Sequence, residues 1–186
     1  MSHDVSAPLA RRSFLRTLLG FGALLAGCSP GGPAGADGGS TAGAPVAKLD
    51  CPHAAWKKVL RPAAYEVLFE EGTERAFSSP LDKEKLAGTY VCAACALPLF
   101  ESRAKFDSGT GWPSFWAPIA GHIGTSRDFK LIYPRTEYHC ARCGGHQGHV
   151  FDDGPPPTGK RYCNNGVALQ FVPEGKELPA LRGCPT

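Results

Sequence analysis

Five cysteines in the body of the chain divide into two kinds. Cys92 and Cys95 form one Cys-x-x-Cys, Cys140 and Cys143 form a second, and Cys163 stands apart in Arg161-Tyr162-Cys163-Asn164-Asn165. Thiolates two residues apart can hold one ion from a single tight turn, and two such turns complete a tetrahedral site. Each pair follows a strand-like run and precedes small residues, as a metal-binding knuckle needs. The stretch from Cys95 to Cys140 is longer than the roughly 15–20 residues of a compact zinc ribbon. The knuckles are therefore expected on two hairpins that the fold brings together. A structural Zn(2+) on Cys92, Cys95, Cys140 and Cys143 is the expectation, with disulfides or a redox-active Cys-x-x-Cys as the alternative.

Cys163 calls for different chemistry. A reactive cysteine works as thiolate, and a nearby cation favours that form. Arg161, two residues away, shares a face with Cys163 if the run is a strand. His146 and His149 follow the second knuckle and could supply a proton. A lone cysteine is more often a small buried hydrophobe, and a lone histidine is more often structural. Their joint placement favours catalysis.

The elements that position these groups come from the rest of the chain. Its 186 residues suffice for one domain plus a flanking segment, and 23 Gly with 17 Pro favour turns and strands over long helices. The net charge of +3 falls to +1 once residues 1–27 are set aside, which leaves no electrostatic footprint for nucleic acid. Arg11-Arg12-Ser13-Phe14-Leu15-Arg16 precedes an uncharged apolar run from Thr17 to Gly27. Eleven residues are too few to span a bilayer, so residues 1–27 read as a Tat-like signal peptide, with a Sec route as the alternative. Leu25-Ala26-Gly27-Cys28 is similar to a bacterial lipobox, which would make Cys28 the lipidated first residue of an exported protein on the periplasmic side of the envelope. Residues 28–47, rich in Gly, Ala and Pro, read as a flexible tether, and 48–186 as the folded domain.

Within that domain Asp50 to Leu60 reads as a short helix, with His53, Trp56 and Leu60 on one face. Ala64 to Glu70 fits either a helical turn or a strand. Strands are expected over Thr89–Cys92, Lys130–Tyr133, Thr136–Cys140, His149–Phe151 and Val167–Val172, with Ala96–Leu99 leading out of the first knuckle. The expected class is a mainly antiparallel β domain with a short N-terminal helical segment.

Several ordered blocks resemble the methionine sulfoxide reductase B family. They are Gly72-Thr73-Glu74-Arg75-Ala76-Phe77, the run from Ser108 through Trp112 to Phe115, the run from Gly148 to Pro155, and the run from Pro157 to Asn165. The match covers roughly Trp56 to Pro173 with both cysteine pairs in register. The resemblance implies two antiparallel sheets with zinc on the side away from the active site. It implies reduction of the R-epimer of methionine sulfoxide, free or in oxidised proteins, by a monomer served by a thioredoxin-like or other thiol reductant. Cys163 would attack and become a sulfenic acid. Trp112 and Phe115 would bind substrate, His146 and His149 would hold and protonate the sulfoxide oxygen, and Arg161 would stabilise the thiolate. Asn165 would orient the substrate, and Asp153 would fix Arg161 or a histidine.

Two departures stand out. Many family members carry a resolving cysteine where this chain has Thr110. Cys51 and Cys184 are the spare thiols; either could resolve the sulfenic acid, the two could pair as a staple, or an external thiol could act directly. Asn164-Asn165-Gly166 also departs from the family's usual run after the nucleophile. Two rival readings are a zinc-knuckle nucleic-acid module and a thiol–disulfide oxidoreductase using one cysteine pair directly.

Overall fold

The computed structural model describes residues 46–129 and 133–186. The signal segment, Cys28 and nearly all of the tether lie outside the described residues, as do residues 130–132 of the strand expected over Lys130–Tyr133. Tyr133 itself is an exposed bend residue.

Two antiparallel sheets carry the domain. The smaller has the order β2-β1-β9, with β1 Gly88–Cys92, β2 Pro98–Glu101 and β9 Leu169–Pro173. The larger runs β3-β4-β8-β7-β6-β5. Its strands are β3 Lys105–Phe106, β4 Ser114–Phe115, β5 Ile123–Asp128, β6 Arg135–Cys140, β7 His146–Phe151 and β8 Arg161–Asn164. Among the described residues no helix is long and apolar enough to cross a membrane.

The core sits where the sheets meet. Phe100 of β2 stacks on Phe115 of β4 with centroids 4.2 Å apart, and Tyr90 of β1 meets Phe115 edge-on at 4.9 Å. All three are fully buried. Burying such a ring contributes about 1.5–3 kcal/mol, and a favourable ring pair adds about 0.5–1.5 kcal/mol.

The ambiguous run near Ala64 is the helix α1, Pro62–Glu70. Pro62 starts it where a missing N–H costs nothing, and Glu71 ends it in the left-handed region with φ 53°. Ala64, Tyr65, Val67, Leu68 and Phe69 are buried while Pro62, Ala63, Glu66 and Glu70 form an exposed stripe; over so short an element the contiguous run Val67-Leu68-Phe69 fits a buried strand as well as a helix. The segment before α1 is a single 3-10 stretch, His53–Lys58, whose Trp56 stacks on Phe69 at 5.7 Å.

The strand expected from Val167 begins later. Gly166–Ala168 forms a 3-10 turn, because the Glu74 carboxylate accepts from Gly166 N at 2.6 Å and Val167 N at 3.0 Å. Strand β5 has no counterpart among the expected elements. Its sequence Ile-Gly-Thr-Ser-Arg-Asp lacks an apolar alternation, and it is an edge strand held by six residue pairings with β6.

The two cysteine turns are built alike. Ala96 N donates to Cys92 O and Cys92 N to Leu97 O at 2.9 and 2.8 Å; Gly144 N donates to Cys140 O and Cys140 N to Gly145 O, both at 2.9 Å. The residue after each second cysteine takes a positive φ, 61° at Ala96 and 74° at Gly144. The first knuckle thus places an alanine where the second has the residue best suited to that conformation.

Cys51 and Cys184 are joined by a disulfide across a separation of 133 residues. The arms that carry them lie on the knuckles. Leu49 N donates to Arg142 O at 2.7 Å and Arg142 Nη1 to Ala47 O at 3.2 Å. On the other arm Arg182 N donates to Cys95 O at 3.0 Å, and its Nη1 to Ala93 O and Ala94 O at 2.8 and 3.1 Å. Each arm grips one knuckle and the disulfide links the arms. This is the staple alternative, and it leaves neither Cys51 nor Cys184 with a free sulfur for resolving Cys163.

Candidate active site and metal centre

Strand registers put the reactive groups in a row. Ser126 of β5 lies opposite Glu137 of β6, Glu137 opposite His149 of β7, His149 opposite Cys163 of β8, and Cys163 opposite Ser114 of β4. Directly opposed residues of an antiparallel pair share a face. Pairing β7 with β8 this closely needs Gly148, where an added Cβ would lie 1.9 Å from Cys163 O.

Cys163 is half-buried and free. It opens on a cavity of about 120 Å³ lined by Thr73, Trp112, Arg135, Gly148, His149, Phe151, Asn164 and Asn165 besides itself. Drug-sized ligands occupy roughly 300–1,000 Å³, so this space suits the end of one side chain. A second cavity of about 340 Å³ shares Thr73, Arg135 and His149 with it and reaches His146 and Glu137.

Burial pushes the Cys163 thiol above its usual range, while the Arg161 charge and hydrogen bonds from Thr110 and Arg161 pull it back. The sulfur therefore rests as a thiol near neutral pH, not as the ionised group expected from Arg161 alone. Arg161 is buried and bound in two places to Asp153, Nε to Oδ1 and Nη2 to Oδ2, both at 2.8 Å. Its guanidinium also lies 4.3 Å from the centre of the Phe151 ring. Asp153 thus fixes Arg161, and its own carboxyl is held below the ordinary value chiefly by that hydrogen bond.

Each histidine has an acidic partner that the sequence did not reveal. His146 Nδ1 donates to Glu137 Oε1 at 2.9 Å, and His149 Nε2 donates to Asp128 Oδ2 at 2.8 Å. Asp128 also accepts from Arg135 Nη2 at 2.6 Å. Burial lowers the His149 pKa against the opposing pull of Asp128, so its ring is neutral near pH 7. Burial would raise the Glu137 carboxyl, but hydrogen bonds from His139, His146 and Ser126 hold it far below the ordinary range. Glu137 sits in an alternating strand run three residues before Cys140, which was the one available sign of its position. Asp128 lies in the strand that went unseen.

Trp112 lines the cavity, with its indole Nε1 donating to Glu74 O at 3.1 Å. Asn165 lines it too, but its side-chain amide is committed. Oδ1 accepts from Glu74 N and Nδ2 donates to Gln147 O, both at 3.0 Å. Asn165 therefore ties the first sequence block to β7. Phe115 does not reach the cavity and is corrected to a core residue, since its ring is fully buried against Phe100. The aromatic wall beside Trp112 comes from Phe151. Phe115→Leu is expected to cost about 1–3 kcal/mol of stability through lost packing and to leave KM for a sulfoxide substrate unchanged, as thermal melts and steady-state kinetics would show.

The four knuckle sulfurs lie together at the opposite side of β7. Gln147, beside His146, points the other way and donates to Cys92 Sγ at 3.6 Å. Cys92, Cys95, Cys140 and Cys143 are all buried, with Sγ atoms within 4.8 Å of one another. The Cys92–Cys143 and Cys95–Cys140 sulfur separations are 3.7 and 3.5 Å. Four sulfurs at the usual zinc–sulfur distance stand about 3.8 Å apart in a tetrahedron, so the cluster fits a tetrahedral ion.

Comparison with known proteins agrees with this geometry. The SelR domain matches residues 60–173. The chain is 52% identical over 127 residues to the peptide methionine sulfoxide reductase MsrB of Pseudomonas putida (strain W619), covering 68% of this chain and 96% of that protein. It is 53% identical over 120 residues to the protein of the same description from Bradyrhizobium diazoefficiens, covering 64% of this chain and 86% of that one. It is also 53% identical over 117 residues to the chloroplastic peptide methionine sulfoxide reductase B1 of Arabidopsis thaliana, of which the match spans 58%, against 62% of this chain.

Proposed function

The chain belongs to the SelR family, and from that premise we propose that it is a peptide-methionine (R)-S-oxide reductase that works through Cys163. The observation that carries the reading is the free Cys163 sulfur opening on a cavity walled by Trp112 and His149. The indole offers an apolar face to the S-methyl group and excludes water from it. Cys163 Sγ attacks the sulfoxide sulfur, and the oxygen passes to Cys163 as the sulfide leaves. The thiol proton ends on that oxygen, so a thiol and a sulfoxide become a sulfenic acid and methionine. His149, neutral and directly opposite Cys163, carries the proton between them, and His146 supports the oxygen from the neighbouring cavity. Arg161, clamped by Asp153, favours the ionised sulfur as it forms.

Regeneration consumes two thiols, releasing water and a disulfide. Thr110 cannot supply one and Cys51 is bonded to Cys184, so an external thiol, such as a thioredoxin-like protein, attacks the sulfenic acid directly. Zn(2+) on Cys92, Cys95, Cys140 and Cys143 would hold the two knuckles together and take no part in the chemistry. The twin arginines and the lipobox-like run to Cys28 support export and lipid anchoring at the cell envelope, where a monomer would repair oxidised proteins. Kinetics with separated sulfoxide epimers test the activity. Turnover of the R-epimer is expected and turnover of the S-epimer is not; equal rates would overturn the assignment.

A further inference from the structure

Arg182 holds the first Cys-x-x-Cys turn by three successive carbonyls. Its N donates to Cys95 O at 3.0 Å, and its Nη1 donates to Ala93 O at 2.8 Å and to Ala94 O at 3.1 Å. Ala93 and Ala94 are the two residues between Cys92 and Cys95. This is also the turn that carries an alanine at positive φ, Ala96 at 61°, where the other turn has Gly144. The turn with the less suitable residue is thus the one an arginine grips from outside.

Burial does not keep Arg182 in place. No residue from Pro173 to Thr186 is buried, and residues 180–184 are all exposed. The N-terminal arm differs, since Val46, Leu49 and Cys51 are partly buried against the core. The Cys51–Cys184 disulfide therefore ties an exposed arm to an anchored one. Exposed hydrogen bonds have a modest net effect because water competes for both partners, while ordering the backbone costs entropy at every residue. Three bonds through one arginine do not hold so long an arm. Cys184 lies two residues past Arg182, so its bond to Cys51 keeps the guanidinium within reach of Ala93 and Ala94.

The bond is open to attack, with Cys184 exposed and Cys51 half-buried. A dithiol reacts at Cys184 Sγ, forming a new S–S bond to the donor as the bond to Cys51 breaks and Cys51 leaves as thiolate. The donor's second thiol then displaces Cys184. Two electrons and two protons pass from the donor, which ends as a disulfide, to two free thiols on this chain. We propose that Cys51–Cys184 is a second redox site, separate from Cys163, at which a dithiol frees Arg182 and loosens the first turn's hold on its ion. The inference rests on the reading of Cys92, Cys95, Cys140 and Cys143 as metal ligands and not on the activity of Cys163.

The test measures zinc passing from the full, zinc-loaded chain to the coloured chelator pyridylazoresorcinol. Wild type is compared as purified and after dithiothreitol treatment, with the dithiol removed under nitrogen. Treatment is expected to speed release about tenfold, and iodoacetamide is expected to label Cys51 and Cys184 only after it. Cys51→Ser/Cys184→Ser is expected to release at the fast rate untreated and to ignore the dithiol. Arg182→Ala keeps the disulfide and the backbone bond to Cys95 O, and is expected to quicken release about threefold. Hydrogen exchange in the peptide spanning residues 92–97 is expected to rise in each case. Equal release before and after both sulfurs are freed would overturn the proposal. So would a disulfide that the dithiol leaves closed, or Arg182→Ala releasing at the wild-type rate. A chain that carries no zinc when purified would refute the metal reading and this proposal together, whereas a loaded chain with unchanged release refutes this proposal alone.

Discussion

Cys163→Ser is expected to lower turnover of R-methionine sulfoxide by on the order of 10³-fold or more, because a serine hydroxyl is a far weaker nucleophile than a thiol and cannot take up the oxygen reversibly. The substitution removes one atom's chemistry and little else. Neither of the pairings that hold β8, to β7 and to β4, depends on the sulfur. Metal content and thermal stability should therefore match the wild type, which separates a lost nucleophile from a lost fold. Mass spectrometry adds a second reading: after one equivalent of sulfoxide, oxygen should appear on the Cys163 peptide in the wild type and not in the variant. Retained R-epimer turnover by the variant would end the assignment.

The second large effect lies at the other side of β7. Cys140→Ala is expected to abolish metal binding and leave the domain unfolded at ordinary temperature. A structural zinc contributes about 10–16 kcal/mol in finger peptides, whereas a whole domain is stable by about 5–15 kcal/mol. Losing the ion therefore removes as much as the fold has. The loss would spread, since β1 and β6 each end in a knuckle and the two strands belong to different sheets. Metal analysis of purified protein with a chelator-driven melt checks this, and a zinc-free chain with an unshifted melting temperature would refute it.

The parts of this protein that were legible in the sequence are those fixed by local spacing. Both knuckles, Cys163 with Arg161, and the two histidines stand close enough in the chain to declare themselves. What stayed hidden depends on contacts across sheets. Glu137 and Asp128 are single acids whose importance comes only from pairing beside β7. Helix α1 is ambiguous in the sequence because it is short and its contiguous apolar run Val67-Leu68-Phe69 fits a buried strand as well as a helix. Phe115 follows Trp112 by three residues and was assigned to the substrate with it. One falls in the loop that walls the cavity, and the other in a strand whose ring turns inward onto Phe100. Strand β5 carried no apolar alternation at all, and its existence is owed to its partner.

The bonded arms over the knuckles bear on the order in which the cysteines would have to mature. Four thiols that stand 3.5–3.7 Å apart in two close pairs would cross-link wrongly if an oxidant met them bare. With an ion in the cluster, Cys51 and Cys184 would be the two sulfurs left among the described residues to oxidise away from the active pocket, and their bond joins the arms whose Leu49 and Arg182 lie on the two turns. If the cluster takes an ion, metallation before oxidation is the order that would spare its four thiols.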